Sequence, residues 1–208
     1  MLDRGGRQVH RLILGLDRMT NPTKWLSVQG AVKYYAIDKV IEDFGDSFVI
    51  VRGGISRLTG RRSEIRACSI IMIDGADPSA KHHSEPLLTN RRLFVRDRLL
   101  CAYCGRVAED RALTRDHIQP VSRGGEDTWM NCVACCVRCN QRKGNRRPEE
   151  AGMELLFAPY VPDWNEGLIL SNRRILTDQM AFLLARVPQR SRLRQFGECG
   201  HQASDHDA

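Results

Sequence analysis

No run in this sequence approaches the roughly 18 consecutive apolar residues that a membrane span requires, so no membrane partner is expected. The early LILGL, residues 12–16, follows a polar start and is too short for the core of a signal peptide, which makes the cytoplasm the expected address. Internal repeats are also missing, which excludes solenoids and repeat arrays. Low apolar content is not among the deficits: 42% over 208 residues is enough for one sizeable core or two small ones, with disorder expected only at the ends. The cytoplasm keeps thiols reduced, so the eight cysteines read as metal ligands or buried thiols and not as disulfides. Zinc is the first candidate.

Positive charge is present in excess, and it is gathered in one place. Residues 91–147 hold 13 Lys/Arg against 6 Asp/Glu, while the remainder holds 19 of each and cancels. The whole formal charge of +7 therefore surrounds the cysteine-rich segment, a distribution that attracts a polyanion, most simply nucleic acid.

Composition divides the chain into residues 1–80, an accessory α+β unit; 81–90, a linker; 91–157, the cysteine-bearing domain; and 158–208, a partly irregular C-terminal extension. In the first part LILGL reads as a strand. Ser27 can cap a helix in which Val28, Val32, Tyr35, Ile41 and Phe44 recur at helical spacing up to a stop at Gly45. Phe48 to Val51 and Ile65 to Ile73 read as strands joined by the turn-rich GGISRLTGRRS. No catalytic constellation occurs in this part. The Gly-, Pro- and Ser-containing DGADPSAKHHSEP, residues 74–86, reads as a connector whose His82 and His83 are solvated. Asn90 can cap a short helix to about Leu99, Pro148 with Glu149 and Glu150 can begin another, and the chain turns irregular around APYVPDWNEG. Cys199 and His201 near the end have no second ligand pair and are taken as non-ligands.

Between residues 101 and 146 lie two CxxC units, each able to aim two thiolates at one tetrahedral ion. Cys101 and Cys104 form the first. The second is ambiguous, because CVACCVRC offers Cys132 with Cys135 or Cys136 with Cys139. If that run were helical, all four would share one stripe. Enclosed between the pairs is an Asp116-His117 dipeptide. Hydrolysis of a phosphodiester needs an activated water and positive charge where the leaving oxygen develops negative charge, and a histidine near its ordinary pKa of about 6.5 suits the first task. Adjacent strand residues face opposite ways, so a bend before Pro120 is expected to bring Asp116 and His117 to one site. Trp129, between the loop and the second cysteine run, reads as core.

The stretch DHIQPVSRGG, then Asn131, then CVRCNQRKGNR closely resembles the HNH endonucleases, the ββα-metal nucleases, in their zinc-bearing bacterial and phage form. The pattern DHxxPxSxGGxxxxxNxxxxCxxCNxxKGxR is met at every fixed position from 116 to 146, with Asn140 standing at the last letter of the family name. The resemblance implies an α+β protein whose N-terminal α+β unit precedes a zinc-stapled ββα-metal nuclease domain acting on DNA. It selects Cys136 and Cys139 as partners of Cys101 and Cys104 for zinc, leaving Cys132 and Cys135 to packing. It makes His117 the general base, places one Mg²⁺ or similar ion on Asp116 and Asn140, and gives Asn131 the task of fixing the loop. Arg138, Arg142, Lys143, Arg146 and Arg147 crowd the same element and are expected to contact phosphate. The competing expectation is a zinc-dependent nucleic-acid-binding module that does not cleave. WLSVQGAVKYY and FVIVRGGISR resemble sequences that precede this nuclease in some bacterial proteins, without implying any chemistry.

Overall fold

The structure, a computed structural model, describes residues 11–75 and 85–196. His82, His83, Cys199 and His201 lie outside the described residues. Two compact units divide the chain: residues 1–84 with 172–186, and residues 85–171 with 187–208.

The first unit is built on a four-stranded sheet in the order β2-β1-β4-β3. Strands β1 (Leu12–Leu16) and β2 (Pro22–Ser27) form an antiparallel hairpin, β1 runs parallel to β4 (Arg62–Ile73), and β4 pairs antiparallel with β3 (Val40–Ile55). The C-terminal half of β4, ACSIIMI, is buried at every position because it lies centrally in the sheet; a near-continuous apolar run is what a strand covered on both faces requires. Helix α1 (Val28–Ala36) starts where Ser27 Oγ accepts from the Gly30 N–H at 3.0 Å. Its Ala31 joins Ile13, Leu26, Ala67, Ile71 and Ile73 in the core.

The expected helix from Ser27 to Gly45 is corrected to this shorter one. Asp38 adopts φ 56°, which breaks the helix, and Ile41 and Phe44 then belong to β3 through pairing with β4. Gly45, at φ 86°, sits in a register shift of that strand; a Cβ there would approach Ser69 Oγ to 2.2 Å, so only glycine fits. Helix α5 (Thr177–Leu184) completes the unit. Buried Gln179 donates from Nε2 to Leu12 O at 2.9 Å and Ser69 O at 2.8 Å, while Asp178 Oδ2 accepts from Ser69 Oγ at 2.5 Å. These bonds explain why the stretch 158–208, expected as one extension, is divided between the two units.

The second unit centres on the antiparallel hairpin of β5 (Leu113–His117) and β6 (Cys132–Cys136), with helix α3 (Val137–Lys143) following β6 directly. The run CVACC is therefore strand, not helix, and its thiols Cys132 and Cys135 are buried along with Val133 and Ala134 between them. Helix α2 (Asn90–Arg96) is capped by Thr89, not Asn90, and ends before Arg98 and Leu99, both left-handed. Buried Arg96 ties it to the hairpin, pairing with Asp97 and donating to Trp129 O at 2.7 Å and Cys132 O at 2.8 Å. Every guanidinium nitrogen has an acceptor, which is what makes a buried ion pair tolerable. Trp129 is buried beside it, its indole N–H on Pro86 O. The helix expected at Pro148 is a single 3₁₀ turn, Glu149–Ala151, closed by left-handed Gly152. The tail of APYVPDWNEG belongs to helix α4 (Trp164–Ser171). No helix among the described residues is long and apolar enough to cross a membrane.

Candidate active site

The Cys101 knuckle is a tight reversal: Gly105 N–H returns to Cys101 O at 2.9 Å, with Gly105 itself at φ 68°. The start of α3 faces this turn, and the thiol sulfurs of Cys101, Cys104, Cys136 and Cys139 all lie within 4.8 Å of one another, Cys104 and Cys136 at 3.9 Å. Tetrahedral thiolates about 2.3 Å from zinc stand about 3.8 Å apart, so the cluster fits such an ion. Burial works to raise the Cys101 thiol, but backbone N–H groups of Cys136, Cys104 and Tyr103 outweigh it and lower it to about 7, towards the thiolate a metal needs. Cys132 is pushed up to about 12, first by burial and then by Asp127, and Cys135 is raised by burial as well; burial also raises Cys139 inside the cluster, so the sulfur positions and not the thiol pKa values separate the two sets.

Alternation along β5 sets two faces. On the helix side, Thr114 and Asp116 meet α3, whose Asn140 and Lys143 are three residues apart and share a face. Asn140 Nδ2 donates to Thr114 Oγ1 at 2.9 Å, and its Oδ1 has no protein partner among the described residues. Asp116, 4% exposed, accepts from Lys143 Nζ at 3.0 Å on Oδ1 and from the Tyr103 hydroxyl at 2.6 Å on Oδ2. Burial and the Asp116 carboxylate raise the Tyr103 phenol, keeping it a donor. Lys143 also donates to His117 O at 2.7 Å and is only 1% exposed. Its expected role as a surface phosphate contact is corrected accordingly: the long side chain turns inward because the carboxylate of Asp116 is there to receive it. Arg138, Arg142, Arg146 and Arg147 do remain exposed, although Arg146 also spans back to Arg142 O at 2.6 Å and Arg147 to Gln119 Oε1 at 2.6 Å.

On the opposite side, Arg115 and His117 share the carboxylate of Asp127: Arg115 Nη1 on one oxygen, His117 Nε2 on the other at 3.1 Å. Arg115 holds the Asp127 carboxyl below the usual carboxylate range. The anticipated bend that would turn Asp116 and His117 to one side is absent. β5 remains regular through His117, paired with Cys132, and the next N–H, from Ile118, continues to Asn131 O. Asn131 fastens the loop that follows, accepting from Gln119 N–H at 2.8 Å and donating to Gln119 O and Glu126 O. A Cβ on Gly125 would lie 1.8 Å from Gln119 O, so this pinned loop requires glycine.

Tyr103, Thr114, Arg115 and Asp127 were not singled out from sequence. The first sits inside the knuckle, and strand alternation could have placed the next two with Asp116 and His117. Nothing in the sequence pairs Asp127 with His117, since nine residues intervene.

Residues 101–156 match the HNH endonuclease family model. Among curated proteins the chain is 38% identical over 66 residues to the CRISPR-associated endonuclease Cas9 of Campylobacter jejuni, an alignment covering 29% of this chain and 7% of that protein. Among solved structures it is similar to the Type II-C Cas9 enzyme of Actinomyces naeslundii, at 19% identity and TM-score 0.26, over 51% of this chain and 17% of the other. The cysteine knuckle, the β5–β6 hairpin and α3 all fall within the matched span, and the chain thus carries, at residues 101–156, a domain of the HNH endonuclease family.

Proposed function

We propose that the chain is a metal-dependent endonuclease that hydrolyses phosphodiester bonds of DNA, with zinc stapling the domain and a second divalent ion serving the chemistry. The observation that carries this reading is the match to the endonuclease family over a segment in which α3 lays Asn140 and Lys143 against the strand bearing Asp116 and His117.

Cys101, Cys104, Cys136 and Cys139 would hold the zinc. Asp116 and the Oδ1 of Asn140 would hold Mg²⁺ or a similar ion; both are hard oxygen donors, and so small a protein ligand set suits a metal that keeps much of its water. Such an ion supplies positive charge to the phosphate and to the departing oxygen. Lys143 already pairs with Asp116 at 3.0 Å, so an arriving ion would share that carboxylate with the ammonium.

His117 takes the proton; because its side chain leaves β5 on the face opposite Asp116, this reading requires the strand end at His117 to turn when DNA and metal bind. Asp127, ionised through Arg115, accepts from the Nε2–H of His117, and this fixes the tautomer that leaves a lone pair on Nδ1. Nδ1 removes a proton from water as the water oxygen bonds to phosphorus and the P–O3′ bond breaks. The 3′ oxygen leaves with the bonding pair and is protonated by solvent, so the ends are 5′-phosphate and 3′-hydroxyl.

Nicking of supercoiled plasmid in Mg²⁺ or Mn²⁺, by the parent and by His117→Ala, tests the reading. Activity in the parent that largely disappears in the variant is expected. A parent that binds DNA but never nicks it, in any divalent ion, favours the non-cleaving binding module instead.

A further inference from the structure

The charge count that cancels outside residues 91–147 conceals a local imbalance in the first unit. Along the β3–β4 ribbon, residues 40–48 carry Glu42, Asp43 and Asp46 and no cation, whereas residues 49–66 carry Arg52, Arg57, Arg61, Arg62 and Arg66 against Glu64 alone. Folding pairs the strands so that this basic half is the distal end of one antiparallel hairpin.

That end stands clear of the core. Every residue from 52 to 64 is exposed, so the ribbon there is covered on neither face. Four residues of β3 from Arg52 to Ile55, at about 3.4 Å each, carry the tip roughly 10 Å beyond the last core contact. The tip is ordered by its own backbone: Ser56 N–H reaches Arg61 O at 2.8 Å and Gly60 N–H reaches Ser56 O at 2.9 Å. Two of the arginines are occupied, Arg52 by Glu64 at 2.9 Å and Arg66 by the face of the Phe48 ring at 4.0 Å. Arg57, Arg61 and Arg62, around the tip, have no acidic partner among the described residues. Beside them are Ile55 and Leu58, the latter 98% exposed.

We infer that this hairpin is a second DNA-binding element, which lays its arginine tip into a groove of the duplex. A two-stranded ribbon has the width that the major groove of about 12 Å admits. All five cations are arginine, whose planar fork matches phosphate oxygens in a way lysine does not. Ile55 and Leu58 give the tip an apolar surface, suited to thymine methyl groups or a base step and wasteful in an arm that only faces water. A second copy of the chain is the poorer occupant for the exposed β3 edge, because two ribbons of the same strong positive charge would be brought side by side.

Fluorescence anisotropy of the full chain on a short labelled duplex, without added divalent ion, tests this across a range of salt. The triple variant Arg57→Ala/Arg61→Ala/Arg62→Ala is expected to bind more weakly and to lower the slope of log affinity against log salt by about 0.9 per lost phosphate contact, roughly 2 to 3 in all. Leu58→Ser should weaken binding with little change of slope. An unchanged slope in the triple variant overturns the inference, as does a parent that does not bind duplex DNA. So does a parent dimer, seen by sedimentation, that the triple variant loses while its DNA binding stays the same. Plasmid nicking by the parent, run in parallel, keeps the two readings apart: nicking with an unaltered slope removes only the arm, and a lowered slope without nicking removes only the nuclease assignment.

Discussion

The ammonium of Lys143 lies 3.0 Å from Oδ1 of Asp116, and both side chains are buried between α3 and β5. Helix and strand are thereby joined through the carboxylate that the family resemblance assigns to the catalytic ion. The same lysine reaches His117 O, so one side chain holds the Asp116 carboxylate and the His117 backbone together. Its contribution is to hold the site together, and its consequences differ from those of the exposed arginines beside it.

Lys143→Ala leaves Asp116 buried with Tyr103 as its remaining donor, and removing one partner of a buried pair costs about 3–5 kcal/mol. A lower melting temperature with an unaltered salt slope for DNA binding is expected. Arg142→Ala, by contrast, should leave melting nearly unchanged and lower the slope by about 0.9 if it meets one phosphate. The assignment of Lys143 to the interior fails if its variant melts normally and loses slope.

How far the sequence reveals this molecule depends on whether a signal is local. Fixed spacing placed the four cysteines, Asp116, His117, Asn131 and Asn140 in one small domain, because a knuckle, a hairpin and a short helix leave few ways to arrange them. Burial was not local. Lys143 resembled its basic neighbours, and only the carboxylate across the strand turns it inward. The helix drawn through Phe44 failed because apolar residues at helical spacing also satisfied a strand with a glycine bulge, and pairing with β4 decided between them. The link of α5 to the first sheet, made by Gln179 across more than 100 residues, has no sequence signal at all.

Zinc loading should follow the assigned ligands. Cys136→Ser removes one thiolate from the cluster, and because metal binding and folding of such a site are coupled, zinc content and melting temperature should fall together. Cys135→Ala, which changes a buried thiol outside the cluster, should keep its zinc and lose only packing energy. Metal analysis of both purified variants checks this; full zinc occupancy in Cys136→Ser would require a ligand set that includes Cys132 or Cys135.

Acid should weaken the first unit through Asp178. Burial acts to raise this carboxyl, but the Ser69 hydroxyl and the backbone N–H groups of Ser47 and Gln179 outweigh it, so its native pKa is lowered. A lowered native value means stability that is fully present above the unfolded value of about 3.9 and lost as pH falls through the lower native one. Asp178→Asn should cost about 1–2 kcal/mol near neutrality, the modest worth of charge-assisted bonds at a partly exposed site. The gap between parent and variant, followed by denaturant melts, should narrow below about pH 4. A gap independent of pH would mean that Asp178 acts through packing alone.

Asp127 and His117 should behave as one unit in cleavage. His117→Ala removes the proposed base but little ground-state binding, so DNA affinity and zinc should persist while single-turnover nicking falls roughly 10²–10⁴-fold. Asp127→Ala leaves the imidazole in place without the carboxylate that sets its tautomer, and nicking should fall by a smaller factor, roughly 10-fold or more. Asp127→Asn retains an acceptor oxygen for Nε2–H and should recover part of that loss. The decisive comparison is the double variant: if Asp127 acts through His117, adding Asp127→Ala to His117→Ala should change the residual rate little. Multiplied effects in the double variant would show that Asp127 serves cleavage by another route, such as holding Arg115. A melting temperature preserved in all four proteins separates this coupling from a loss of fold.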